Sequence, residues 1–169
     1  RARLLQAGTI ARTREDDEAD LRGAYAPDGT EVFFGEVSPD GFPTWLDEFG
    51  VEKTDQVPDS LITGIDHINL AQPWQHFDES ILFYTSLMAL EARDRDEFPS
   101  PIGLISNQVM SSPNDAVRLL LSIAPEDGEQ GDFLDAAYPE HIALTTTDII
   151  AVARRARKRG LAFLPVPEN

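Results

Sequence analysis

The pattern of apolar and polar positions between residues 61 and 125 predicts a strand, a helix and then three strands. The run GIDHINLA is short and largely apolar, which is typical of a strand. Apolar side chains then recur every three or four residues and predict a helix with one buried face; they are Phe77, Ile81, Tyr84, Leu87 and Met88. Three extended runs follow, EARDRDEF, GLISNQVMSS and AVRLLLSIA, with proline-containing turn signals between them. The segment is therefore expected to form one βαβββ unit.

A second copy of this unit begins near residue 137. The run EHIALTT predicts its first strand. The stretch from Asp148 to Arg159 predicts a helix, because an aspartate begins it, basic residues gather at its end and Gly160 follows. The run LAFLPV predicts the next strand. We expect this copy to stop at Asn169, before its last two strands.

Residues 1–37 are expected to be the end of another such unit. A basic helix tail ends at Gly8, an acidic loop follows, and two strands are joined by a turn at Pro27-Asp28-Gly29. Residues 38–60 mix proline, glycine and acids with isolated aromatic residues, which predicts a connector. Since the chain does not begin with methionine, we expect it to be a fragment.

The predicted fold class is therefore α+β, with paired βαβββ modules that are incomplete at both ends. Three parts are expected along the chain. They are the C-terminal half of a degenerate module (1–37), a linker (38–60), and a domain (61–169) with a complete module (61–125) and the first half of the next (137–169).

Composition narrows the classes of partner. A chain of 169 residues with 41% hydrophobic residues can bury one ordinary core. Thirty acidic residues against 14 basic ones give a formal charge of −16, which disfavours nucleic acid and anionic membrane surfaces and favours a small molecule, a protein or a second copy of the chain. No apolar run approaches the roughly 20 residues of a membrane span. The absence of cysteine excludes thiolate metal sites and suits the cytoplasm.

Two short strands repeat one motif, IDHINL and PEHIAL, and each contains a histidine. Side chains alternate along a strand, so His67 shares a face with Ile65 and Asn69, while Asp66 points the other way. If two units pack around a pseudo-twofold axis, His67 and His141 face each other, and two neutral imidazoles are half of a divalent-metal site. The alternative is that each histidine is a partly buried core residue with one hydrogen bond. The repetition of the motif favours the metal pair.

A site with two histidines and one carboxylate leaves positions open for substrate and oxygen, so a third ligand is needed. Symmetry would place it on the last strand of a unit. In the first unit this position is Phe33, and Glu31 could occupy the same face only if the strand register were shifted. In the complete unit the position is Leu119 or Leu120. Neither unit supplies the acid, and we expect the third carboxylate beyond Asn169.

Two polar residues are predicted on strands that line the cavity. Asn107 and Arg118 could orient the carboxylate or keto group of a substrate, since arginine binds carboxylates through a forked pair of donors. The alternative is that these side chains point outward or form salt bridges. No residue is assigned a role in catalysis itself.

The motifs IDHINL and PEHIALTTTDIIAVARRARKRGLAFLPVP, together with the βαβββ repeat, resemble the vicinal oxygen chelate superfamily and, more narrowly, the 4-hydroxyphenylpyruvate dioxygenase family. The resemblance implies that His67 and His141 bind Fe(II) together with a later glutamate; Mg, Mn and Co are alternative metals. It also implies substrate contacts. Ser122 is a weak match to a polar residue that contacts the substrate in that family. Gln130, or Glu129 beside it, is the best match in sequence to the glutamine that contacts the substrate there.

The runs FPSPIGLISNQVMSSPNDAVRLLL and LDAAYPEHIAL resemble the dioxygenase-like C-terminal domain of bacterial 3-dehydroshikimate dehydratases. In those enzymes the dehydratase chemistry belongs to an N-terminal sugar-isomerase-like barrel. The resemblance implies a metal-binding domain, at residues 61–169, of an enzyme that forms protocatechuate in quinate and shikimate catabolism. Two alternatives remain: an Fe(II) dioxygenase that forms homogentisate in tyrosine catabolism, and a degenerate interaction or dimerisation module.

Overall fold

The computed structural model describes residues 21–50, 60–100, 103–123 and 137–164. The strands are β1 (Arg22–Tyr25), β2 (Glu31–Phe34), β3 (Ile62–Ala71), β4 (Glu91–Ser100), β5 (Gly103–Ser111), β6 (Arg118–Ile123) and β7 (Tyr138–Thr146). The α-helices are α1 (Phe77–Ser86) and α2 (Ile149–Lys158), and two short 3-10 helices cover Thr44–Phe49 and Trp74–His76. None of the helices in these ranges has the length and apolar character needed to cross a membrane.

A five-stranded sheet contains the predicted βαβββ unit in the order β4-β5-β6-β3-β7. After the crossover through α1, the last strand of the unit, β6, pairs in parallel with its first strand, β3. The other pairs within the unit, β4 with β5 and β5 with β6, are antiparallel. The predicted order of strand, helix and three strands is confirmed.

The first strands of the two successive units are neighbours in this sheet. Strand β7 pairs antiparallel with β3, so that Ala143 lies across from His67 and His141 lies across from Asn69. This register is symmetric about Ile68, which places a local pseudo-twofold axis at the centre of the pair. The duplicated histidine motif therefore brings both histidines to one place in the sheet.

The hydrophobic core lies on the face of the sheet opposite to the histidines, where α1 packs. Leu70 of β3 pairs with Leu121 of β6, and alternation along β3 directs its side chain away from the face of Asn69. The buried cluster consists of Leu70, Phe77, Tyr84, Leu90, Met110 and Leu121. Phe77 and Tyr84 confirm the predicted apolar face of the helix, and Val32 of β2 also packs against the cluster.

The hairpin of β1 and β2 is joined to the βαβββ unit through its turn. The predicted turn is confirmed, with Gly29 at a φ of 85° that favours glycine. Asp28 is fully buried; one carboxylate oxygen accepts from the backbone N–H of Thr30, and its backbone carbonyl accepts from Ala137 at 2.6 Å. Burial raises the pKa of the Tyr84 hydroxyl, and the nearby carboxylate of Asp28 raises it further. The turn therefore lies against α1.

We expect Tyr84→Phe to reduce the loss of stability at high pH. A tyrosine whose pKa is raised in the folded state contributes stability that is present below its ordinary pKa of 10.0 and is lost as the pH rises toward the raised value. The free energy of unfolding of the wild type should therefore fall between about pH 9 and about pH 11 more steeply than that of the variant. Denaturant titrations at both pH values measure the difference, with Tyr138→Phe as the control because Tyr138 is 46% exposed. Equal slopes in wild type and Tyr84→Phe would contradict the buried environment of this hydroxyl.

The second helix begins and ends as predicted, but the strand predicted after it is wrong in its described part. The carboxylate of Asp148 accepts from the N–H of Ala151 at 2.9 Å, and Gly160 follows the helix at a φ of 87°. Residues 161–164 are irregular, since within the described ranges no strand pairs with them. Positions 165 and 166, like the predicted helix tail at residues 1–8 and the acidic loop after it, lie outside those ranges.

The connector predicted at 38–60 contains the 3-10 helix of residues 44–49. The indole of Trp45 lies so close to Gly35 that a Cβ there would come within 2.7 Å of its ring. The ring of Trp45 also meets Phe49 edge to face, with centroids 5.9 Å apart. This aromatic contact holds the start of the connector against the end of the hairpin, as the isolated aromatic residues indicated.

Candidate metal centre

The imidazoles of His67 and His141 face each other between the paired strands β3 and β7. Their Nε2 atoms are 3.2 Å apart, and the two rings meet edge to face with centroids 5.3 Å apart. The predicted pairing of the two histidines is therefore present in the structure. The same distance also suits a hydrogen bond between two imidazoles.

The other ring nitrogen of His67 is held by the carboxylate that precedes it in sequence. Nδ1 of His67 lies 2.7 Å from Oδ2 of Asp66. Simple alternation predicted Asp66 on the opposite face, and this was wrong, because a shift in the pairing register between Ile65 and His67 interrupts the alternation. The irregularity brings acid and histidine to the same side of the sheet.

Arg118 on the adjacent strand β6 completes this contact. Its Nη1 atom lies 3.0 Å from Oδ1 and 3.2 Å from Oδ2 of Asp66. The hydrogen bond from His67 lowers the pKa of Asp66, and the charge of Arg118 lowers it further, against the opposing effect of burial. Asp66 is therefore an ionised carboxylate at neutral pH that binds a histidine and an arginine together.

His141 is held by a different group. Its Nδ1 atom lies 3.4 Å from Nδ2 of Asn69, which donates at 2.6 Å to the carboxylate of Glu140. The hydroxyl of Ser122 donates to Oδ1 of the same amide at 2.7 Å. Asn69 and Ser122 are both buried, at 3% and 7% exposure, so the amide is fixed between β6 and β7. Glu140 corresponds to Asp66 in the repeated motif, yet it binds Asn69 instead of its own histidine.

The two Nε2 atoms suit adjacent ligands of one metal ion. Nitrogens that each lie about 2.1 Å from an ion are about 3.0–3.4 Å apart in neighbouring octahedral or tetrahedral positions, and the observed separation of 3.2 Å falls in this range. Within the described ranges no group of three or more histidine, aspartate or glutamate residues is arranged to hold a metal. The residues present thus fit two nitrogen donors of one metal ion, and no third protein ligand lies beside them in the part of the chain that the structure describes.

Three of the residues predicted to bind substrate, Asn107, Arg118 and Ser122, lie on the histidine face of the sheet, but two of these three bind other protein groups. Register places Asn107 of β5 across from Ser122. The hydroxyl of Ser122 is bound to Asn69, and the guanidinium of Arg118 is bound to Asp66. Oδ1 of Asn107 is buried and has no hydrogen-bond partner within the described ranges. Gln130 and Glu129 lie outside the described residues.

An open cavity of about 480 Å³ lies next to this face. It is lined by Arg93, Asp94, Asp96, Val109, Ser111, Asp115 and Arg118. Arg93 donates to Ser111 at 2.7 Å and to Asp115 at 3.1 Å. The charged residues of β4 and the last residues of β5 thus line one cavity together with Arg118 of β6.

Two kinds of enzyme are among the curated proteins to which the chain is similar. No family model matches the chain. It is 29% identical over 157 residues to the 3-dehydroshikimate dehydratase of Pseudomonas aeruginosa, covering 90% of this chain and 25% of that enzyme. It is 27% identical over 174 residues to the 4-hydroxyphenylpyruvate dioxygenase of Aspergillus fumigatus, covering 94% of this chain and 43% of that enzyme. The chain therefore spans less than half the length of either relative.

Solved structures show the same fold over nearly the whole chain. A xylose isomerase-like TIM barrel/4-hydroxyphenylpyruvate dioxygenase fusion protein matches with a TM-score of 0.66 and 22% identity, covering 96% of this chain and 26% of that one. A variant of 4-hydroxymandelate synthase from Streptomyces coelicolor matches with a TM-score of 0.67 and 15% identity, covering 98% of this chain and 50% of that one. The α+β class, the vicinal oxygen chelate type of fold and the resemblance to both groups of enzymes are confirmed.

Proposed function

We propose that this chain carries the divalent-metal-binding, dioxygenase-like domain of a 3-dehydroshikimate dehydratase. The observation that carries the proposal is the match of 90% of the chain to one quarter of a 3-dehydroshikimate dehydratase. The fusion protein supports it, because 96% of this chain matches 26% of a protein that combines a xylose isomerase-like barrel with a 4-hydroxyphenylpyruvate dioxygenase part. In such an arrangement the barrel performs the dehydration, and the domain described here holds the metal.

The proposed metal centre uses His67 and His141 as nitrogen ligands through their Nε2 atoms, 3.2 Å apart. Fe(II) is the metal proposed, with a carboxylate beyond Asn169 as the third ligand. When bound, such an ion supplies a Lewis acid with positions open to a substrate oxygen. The chain's own residues keep both imidazoles in place from two sides, through Asp66 and Asn69. Domain boundaries at 61–169 for this function are part of the proposal.

The substrate side of the domain is proposed to be polar. Of the residues that line the cavity, only Val109 has an apolar side chain, and the rest are charged or carry a hydroxyl. On the same face, the buried amide oxygen of Asn107 has no hydrogen-bond partner among the described residues. Such a surface suits a hydroxylated or carboxylated small molecule better than the aromatic ring of hydroxyphenylpyruvate, because an apolar ligand would remove water from polar groups without replacing their hydrogen bonds.

Two assays of the full-length protein separate this function from that of a 4-hydroxyphenylpyruvate dioxygenase. With 3-dehydroshikimate, we expect protocatechuate to form, which is followed by its ultraviolet absorbance. With Fe(II), ascorbate and 4-hydroxyphenylpyruvate, we expect no oxygen consumption at an oxygen electrode. Oxygen consumption with homogentisate as product, without any protocatechuate in the first assay, would overturn the proposal. Formation of neither product, with no metal in the purified protein, would instead indicate a degenerate interaction module.

A further inference from the structure

We infer that Asp66 and Arg118 are positioning residues that fix the ring of His67 with its Nε2 atom directed at His141. This assignment rests on the proposed metal centre and goes beyond it, because it gives the arginine a role other than substrate binding. Three contacts carry it: the bond of 2.7 Å between His67 and Asp66, and the two bonds of 3.0 and 3.2 Å between Asp66 and Arg118.

The first step concerns the proton on His67. Both oxygens of Asp66 accept from Arg118, so in the bond of 2.7 Å the carboxylate accepts from His67 and the donor is Nδ1–H. The lone pair is then on Nε2, which is the nitrogen that lies toward His141. A partner of this kind fixes both the tautomer and the orientation of a ligating histidine.

The second step concerns the carboxylate. Asp66 lies where the pairing register of β3 with β7 shifts, so the sheet alone does not determine where its side chain points. Arg118 lies on the neighbouring strand β6, beside the position of His67 in the parallel pair, and Nη1 bonds to both oxygens of Asp66. A cation that contacts both oxygens limits rotation of the carboxylate. Arg118 therefore acts on His67 through Asp66.

The third step is the contrast with the second histidine. Glu140 precedes His141 as Asp66 precedes His67, but its carboxylate accepts from Asn69 at 2.6 Å. No arginine contact to Glu140 is present among the described residues. One histidine is thus held directly by a carboxylate with an arginine behind it, and the other by a buried amide. This difference predicts that loss of Asp66 affects His67 specifically.

The cavity offers matched controls for both substitutions. Asp96 is a carboxylate that lines the cavity on strand β4, and Arg93 is an arginine that lines the same cavity but binds Ser111 and Asp115. Asp96→Ala and Arg93→Ala remove charges of the same two signs from the cavity that Arg118 also lines, and they leave the contact between His67 and Asp66 intact. A general effect of charge on metal binding would appear in these controls as well.

The test measures Co²⁺ binding to the full-length protein by titration calorimetry. We expect Asp66→Ala to weaken binding by about 10- to 100-fold, which is the usual effect of removing the hydrogen-bond partner of a ligating histidine. Arg118→Ala should weaken binding in the same direction and less, and should have no additional effect in an Asp66→Ala background. Asp66→Asn, which keeps an acceptor oxygen of the same shape, should recover part of the loss. Asp96→Ala and Arg93→Ala should bind as the wild type does.

A second readout reports on the ring itself. In metal-free protein, ¹⁵N chemical shifts of the histidine rings should show the Nδ1–H tautomer for His67 in the wild type and a mixture of tautomers in Asp66→Ala. His67→Ala assigns the signal. Unchanged tautomer and affinity in Asp66→Ala and Arg118→Ala, with affinity lost in His67→Ala, would overturn this inference and leave the metal centre standing. Unchanged affinity in His67→Ala would overturn the metal centre itself.

Discussion

Replacing either His67 or His141 with alanine is expected to lower the affinity of the full-length protein for a divalent metal by more than about 100-fold. Removing the hydrogen-bond partner of a ligating histidine typically lowers metal affinity by about 10- to 100-fold, and removing the histidine itself should lower it more. The Nε2 atoms of the two rings are 3.2 Å apart, so removal of either ring leaves one nitrogen donor. Titration calorimetry with Co²⁺ and metal analysis of the purified variants measure the effect.

The matched control for these variants is His76→Ala. His76 lies at the start of α1, where its Nδ1 atom is 3.2 Å from Glu79, and it takes no part in the pair. Its removal should leave metal affinity unchanged. The double variant of His67 and His141 should bind no metal at this site, and therefore little worse than either single variant, because two ligands of one ion act as a unit. A single variant that retains wild-type affinity would show that the pair is a structural contact between core strands.

Replacing Phe77 with alanine is expected to lower the free energy of unfolding by about 3–5 kcal/mol. Phe77 is 2% exposed and belongs to the cluster in which α1 packs on the sheet. The guanidinium of Arg95 also lies 4.8 Å from the centre of its ring. Removal of the ring leaves a cavity between helix and sheet that the surrounding backbone can fill only in part.

Denaturant unfolding of Phe77→Ala is best compared with that of Leu82→Ala. Leu82 lies on the same helix and is 65% exposed, so its truncation should change the free energy of unfolding by less than about 0.5 kcal/mol. Both variants replace an apolar side chain of α1 with alanine, the residue with the highest helix propensity, so neither loses stability through propensity. If the two variants lose equal stability, the helix does not pack through the face that contains Phe77 and Tyr84.

The order of elements in the sheet could be predicted because local patterns determine it. The short apolar run of β3 and the spacing of Phe77, Ile81 and Tyr84 are properties of neighbouring residues, and the strand and the buried helix face that they predict are found in the structure. The sequence also indicated that β3 and β7 lie close together, because the motif around His67 repeats around His141. Duplicated units can pack around a twofold axis, and the structure pairs these two strands. A single motif does not indicate which distant residues it contacts, whereas a repeated motif indicates that its two copies can contact each other.

The contacts of Asp66 could not be predicted in the same way. Alternation directs its side chain away from His67, and only the register shift in the pair of β3 and β7 reverses this. Its other partner, Arg118, is 52 residues away along the chain and reaches it because β6 pairs with β3. The burial of Asp28 could not be predicted for a similar reason. The turn sequence indicates the local conformation of the turn, but it does not indicate that the turn packs against helix α1. Such contacts depend on tertiary packing.

X-ray diffraction at the absorption edge of the metal, on crystals of the full-length protein grown with Fe(II) or Co²⁺, tests the metal centre most directly. An anomalous peak is expected about 2.1 Å from the Nε2 atoms of both His67 and His141, as for nitrogen ligands of a divalent ion. The carboxylate that completes the site should be visible at the same peak. A protein saturated with metal that shows no peak between these two histidines would contradict the assignment of the pair as a metal centre.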